Sequence, residues 1–170
     1  MHRLVRGELL ITKMLEDIGL ATDAVQELAG ASRVGIAGHS FGGNLALFAA
    51  ALDTRLAFAC VSGAACSYRH KLGSGTGLEL ALAIPDFATH FDFDDLMSCV
   101  APRKLFVVSS EDDPYAADAP DLVTKAVATF EASGTREHLQ HLHVSGPHAL
   151  DRERHEAIVK WLVKCSSDSG

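Results

Sequence analysis

The segment Val34-Gly35-Ile36-Ala37-Gly38-His39-Ser40-Phe41-Gly42-Gly43 constrains the fold of this chain more than any other stretch. A short apolar run leads directly into Gly-x-Ser-x-Gly with one further glycine, and a helix-forming run over residues 44–52 follows at once. A strand, a tight turn and a helix in that order describe a nucleophile elbow, in which a strained backbone holds a serine hydroxyl clear of the sheet. Gly38 and Gly42 are expected to give the close backbone approach that side chains would block. The start of the following helix offers free N–H groups and a positive dipole end where an oxyanion would form. The competing reading is a glycine-rich strand-to-helix turn that only packs. The flanking strand and helix argue against it.

The remainder of the chain alternates helix and strand. Residues 6–28 carry apolar positions at helical spacing (Leu9, Leu10, Met14, Leu15, Ile18), with a break expected at Gly19 and a restart after Thr22. Strands are expected over residues 33–37, 56–62, 104–108 and 139–144, with the second apolar enough to be buried on both faces. Residues 66–92 read as an irregular excursion near the site, and a short helix is expected over 94–99. Further helices are expected over 119–131, ended by Gly134, and over 151–164, where Ile158, Trp161 and Leu162 share an apolar side. The polar tail 166–170 reads as frayed. This alternation predicts an α/β fold: one domain over residues 1–170, with a parallel sheet of four strands flanked by helices.

Composition narrows the function classes. At 170 residues and 48% apolar content the chain can build one substantial core. A net charge of −7 gives no electrostatic case for nucleic acid or an anionic membrane as partner. The first residues begin basic but soon meet Glu8, Lys13, Glu16 and Asp17, a pattern unlike a signal peptide. Cys60, Cys66, Cys99 and Cys165 are scattered without zinc spacing, so reduced thiols in a cytoplasmic protein are expected, with neither metal nor cofactor.

Serine needs a base within hydrogen-bond reach, and the base needs a third group to orient it. Strand three runs into Ser109-Ser110-Glu111-Asp112-Asp113-Pro114-Tyr115, and strand four into Ser145-Gly146-Pro147-His148. Parallel strands put their carboxyl ends on one edge, where Ser40, the acidic loop and His148 would converge. Asp113 is preferred as the acid because Pro114 fixes the turn and the position lies furthest past the strand end; Glu111 and Asp112 read as a solvated loop. His39 and Tyr115 are candidates to line the site, His39 with its side chain pointing away from that of Ser40. His141 and His143 share a strand face, but with no carboxylate or cysteine at ligand spacing they read as surface or half-buried side chains.

These features together resemble the α/β-hydrolase superfamily, and within it the dienelactone-hydrolase, acetyl-xylan-esterase and acylaminoacyl-peptidase-like group. The resemblance rests on Gly38-His39-Ser40-Phe41-Gly42-Gly43, on residues 51–56 leading into Val61-Ser62-Gly63, on residues 90–96 with Ala101-Pro102-Arg103, and on residues 110–114. It covers residues 33–164. It implies Ser40 as nucleophile, Asp113 as triad acid, His148 as base and the Phe41 backbone N–H as one oxyanion donor, in a serine esterase acting on small, short-acyl esters. Members of the family place several strands and a second oxyanion loop before the elbow. Residues 1–30 read as a helical segment instead, so the fold is expected in a truncated, minimal form, as a fragment, a natural minimal hydrolase or a protomer completed by a second copy. The elbow strand would then stand at an open edge and favour a homodimer, unless residues 6–28 fold across it. The alternative is a weakly active or inactive hydrolase-like domain serving as an interaction module.

Overall fold

The computed structural model describes residues 2–167, so the tail reading at 168–170 lies outside the described residues. Helix α1 (His2–Val5) is followed by α2 (Leu10–Ala29), which runs without interruption. The break expected at Gly19 does not occur. Thr22 donates from its hydroxyl to the Ile18 carbonyl at 2.9 Å, staying inside the helical ladder, and Gly30 at φ 60° ends the helix in the left-handed conformation.

Strand β1 (Val34–His39) enters α3 (Phe41–Leu52), and β2 (Leu56–Ser62) follows with the bounds its sequence predicts. The excursion is more regular than expected. It contains α4 (Tyr68–Ser74), a single 3-10 turn and α5 (Phe87–His90), and then leads to α6 (Phe93–Val100). Tertiary contact supplies this order. The Tyr68 hydroxyl donates to Leu82 O at 2.8 Å, and the rings of Phe48, Tyr68, Phe87 and Phe93 pack together against α3. Asp92 and Asp95 form a reciprocal capping box at the start of α6.

Strand β3 (Lys104–Asp112) and strand β4 (Leu139–Pro147) both extend past their apolar runs, with α7 (Ala119–Ala132) between them and α8 (Arg152–Ser167) closing the chain. All neighbouring strands pair in parallel in the order β1-β2-β3-β4. Alternation along each strand divides the core. Ala59, Val61, Leu105 and Val107 face the layer of α3, α6 and α7, whereas Phe58, Cys60, Phe106 and Val108 face α8. There the Trp161 indole stacks on Phe106 and meets Phe58 edge-on, at centroid distances of 5.3 and 5.9 Å. Gly35 must be glycine because a Cβ would lie 2.0 Å from the Phe58 ring.

Strand β1 occupies one end of the sheet and pairs with β2 alone among the described residues. No other strand among the described residues pairs along its outer edge. Ala37 is exposed and the other residues of β1 are half-buried, and α2 packs on α3, on the 3-10 turn and on β1 itself.

Candidate active site

The elbow is built by backbone geometry. Ser40 has φ 57° and ψ −130°, a conformation that L-residues rarely adopt, and its N–H donates to Ser62 O at 2.8 Å. Gly38 makes the turn feasible, since a Cβ there would lie 2.0 Å from the Gly42 carbonyl oxygen. The second close approach is not at Gly42, where a Cβ would meet nothing within 4 Å. It is at Gly43, where a Cβ would stand 2.8 Å from Ala64 and 2.9 Å from Ser62 O. The helix presses on β2 at Gly43, one residue later than the sequence motif suggested. Phe41 is the first residue of α3, so its N–H has no carbonyl behind it in the helix and can face an anion.

The three predicted side chains come together at the carboxyl edge of the sheet. Ser40 Oγ lies 2.8 Å from His148 Nε2, and His148 Nδ1 lies 2.9 Å from Asp113 Oδ2. A carboxylate only accepts, so Nδ1 carries the imidazole proton and Nε2 is left to accept from the serine hydroxyl. Asp113 is buried, at 1% exposure, and its other oxygen accepts from the Tyr115 N–H at 2.9 Å. Glu111 and Asp112 are exposed. Such a line can pass a proton from serine to imidazole while the carboxylate keeps the ring in one tautomer.

His39 and Tyr115 both touch the imidazole. The His39 ring stacks on His148 with centroids 5.0 Å apart, and Tyr115 meets it edge-on at 4.8 Å. His39 Nδ1 stands 3.1 Å from Ser62 Oγ. Burial first, then the nearby His148, lowers the His39 pKa from the ordinary histidine value, with Asp113 opposing. Gly63, at φ 54°, leaves room for this stack: a Cβ there would lie 2.6 Å from His39 Cε1 and 3.1 Å from His148 Cε1.

Away from this site, His141 is half-buried and His143 exposed. Both approach the buried Ser109 hydroxyl, at 2.7 and 2.8 Å. No group of three or more His, Cys, Asp or Glu among the described residues could hold a metal ion. Ser62 and Gly63 carry part of the sequence resemblance, but their places against His39 and His148 depend on partners from other strands and could not be read from the sequence. Sequence reasoning missed Arg154, whose place near Asp151 at a helix start shows a charge without showing where it points.

A parallel sheet covered by helices on both faces, with serine at a strand-to-helix turn, has the α/β-hydrolase fold. No protein-family model matches the chain, and no curated protein matches it. Solved structures do match. A glucuronoyl esterase from Solibacter usitatus shares 22% identity at a TM-score of 0.73, over 93% of this chain and 49% of that one. A Bacteroides fragilis protein assigned as an acetyl xylan esterase shares 19% at a TM-score of 0.73, over 98% and 51%. The glucuronoyl esterase catalytic domain of Hypocrea jecorina shares 19% at 0.72, over 91% and 51%. At such identities the likeness carries the fold, and this chain spans about half the length of the structures it matches.

Proposed function

We propose that this chain is a serine hydrolase of small carboxylic esters, bearing acetyl or other short acyl groups, and that it works through an acyl-enzyme. The observation that carries this reading is the continuous line from Ser40 through His148 to the buried carboxylate of Asp113. Ser40 Oγ attacks the ester carbonyl as His148 Nε2 takes its proton, and the Phe41 N–H faces the oxygen that becomes negative. The imidazolium then protonates the departing alcohol. Water, activated by the same imidazole, attacks the acyl-serine and releases the acid and free Ser40. The esterase assignments of structures with this fold support an ester as substrate. The short helices of residues 66–92 pack onto α3 instead of building a deep cover, which favours a small ester.

Labelling with a fluorophosphonate, together with turnover of p-nitrophenyl acetate, tests the proposal. Both are expected in the parent and lost in Ser40→Ala. A parent chain that neither labels nor turns over would overturn it.

The open edge of β1 favours a second reading, a weakly active or inactive hydrolase-like domain that serves as an interaction module. Under either reading we assign a homodimer through that edge, with neither nucleic acid nor membrane as partner given the net charge of −7. No helix among the described residues is long and apolar enough to cross a membrane. The free thiols of Cys60, Cys66 and Cys99 suit a reducing compartment, and a cytoplasmic location belongs to the proposal.

A further inference from the structure

His148 sits on the loop between β4 and α8, and a loop does not by itself hold an imidazole to within the tolerance of proton transfer. One buried side chain ties this loop down. Arg154, on the first turn of α8, is 2% exposed and aims its guanidinium back under the histidine. Its Nη1 donates to Pro147 O at 2.8 Å and to Ala149 O, the carbonyls on either side of His148, and its Nη2 donates to Ser145 O at 3.3 Å. Ser110 Oγ donates to the same Pro147 carbonyl at 3.3 Å. The Nε lies 3.3 Å from Asp151 Oδ2, near enough to balance charge though not aligned as a hydrogen bond. The Arg154 N–H also donates to Asp151 Oδ1 at 2.9 Å.

We infer that Arg154 is the positioning residue for His148, fixing the backbone on both sides of the imidazole so that Nδ1 faces Asp113 and Nε2 faces Ser40. The inference rests on the reading of His148 as the base. A guanidinium suits this task because its planar fork presents several N–H groups in fixed directions, whereas an ammonium on a flexible stem cannot meet three carbonyls spread around a loop. Carbonyls that lose these donors turn to water or to other partners, and the loop is then free to relax. Gly146, in the same loop, has φ 103°, a backbone conformation that L side chains rarely adopt.

Arg154→Lys keeps the charge and removes the fork, and Arg154→Gln removes both. Two measurements on the whole chain test the proposal. The first is the downfield proton signal of the His148 Nδ1–H bonded to Asp113, read by NMR. The second is the separation of kcat from KM on p-nitrophenyl acetate, scaled to the folded fraction. In Arg154→Lys the signal is expected to be lost or displaced and kcat to fall about 10²-fold with KM little changed. Partial recovery of kcat by millimolar guanidinium in Arg154→Gln would strengthen the case. An unchanged signal with kcat within about twofold of the parent would overturn it. A loss of rate that merely follows the loss of folded protein would also do so, leaving Arg154 as a structural residue. If the parent lacks esterase activity but shows the signal, and Arg154→Lys loses it, the positioning role stands and the esterase reading falls.

Discussion

His148 Nδ1 meets Asp113 Oδ2 at 2.9 Å, and that carboxylate is buried while Glu111 and Asp112, which precede it at the end of β3, are exposed. Burial favours Asp113 as the orienting acid of the proposed triad, because an exposed carboxylate would exchange the imidazole for water. Asp113→Asn is expected to lower kcat/KM by about 10⁴, since the amide favours the wrong tautomer. Glu111→Gln and Asp112→Asn should stay within about threefold of the parent. Ser40→Ala and His148→Ala should each remove nearly all turnover, with the double variant no worse than either. A loss at Asp112 equal to that at Asp113 would show the acid to be misassigned.

The elbow glycines should behave unequally. Gly38→Ala forces a methyl to within 2.0 Å of a backbone carbonyl oxygen, and the turn cannot yield without moving Ser40. We expect a loss of about 4 kcal/mol or more, or no folded protein. Gly42→Ala meets nothing within 4 Å and should change stability by less than about 1 kcal/mol, measured by urea denaturation. Equal behaviour of the two variants would contradict the turn geometry.

A buried ion pair lies behind the elbow helix. Lys71 is fully buried and meets Glu79 at 2.8 Å, while Glu79 also accepts from Asn44 of α3 at 3.3 Å. The members differ in exposure, Glu79 keeping 30% of its side chain in water. Removing Glu79 strands an ammonium in the core, whereas removing Lys71 leaves a carboxylate that can hydrate. Glu79→Ala should therefore cost about 3 kcal/mol and Lys71→Met about 1 kcal/mol. Denaturation midpoints in the opposite order would refute this account.

Acid should destabilise the fold through two histidines. Burial and a neighbouring histidine hold His39 and His141 below the ordinary value of 6.5, His148 acting on the first and His143 on the second. A group with a lowered native pKa binds more protons when unfolded, so stability is lost as pH falls from 6.5 through the native values. The double variant His39→Gln with His141→Gln should flatten the dependence of the denaturation midpoint on pH as pH falls below about 6.5. A slope as steep as the parent's would assign the effect to other groups.

Association through β1 can be read by light scattering over a concentration series. Ala37 is the residue to change, because it is exposed, whereas Ile36 packs against the core. The parent should dimerise and Ala37→Lys should not. A parent that stays monomeric at high concentration would remove the edge as an interface.

The sequence revealed most where the cause is local. Strand β2 is an apolar run between turn signals, and the elbow glycines follow from the backbone path around Ser40. His148 and the acidic loop could be placed from strand order alone. The short helices between residues 66 and 92 were hidden because aromatic contacts with α3 order them, and no periodicity records those contacts. Gly43 was passed over for Gly42 because the motif names one glycine while the packing partner, Ala64, sits on another strand's loop.

The φ of 57° at Ser40 has a consequence for how this chain would drift if it did no chemistry. Any residue with a Cβ gives up about 1 kcal/mol or more in that conformation, and glycine gives up little of it. Ser40→Gly should thus yield a protein that is harder to unfold and unable to form an acyl-enzyme. Serine at this position is the less stable choice, and only a use for its hydroxyl would retain it.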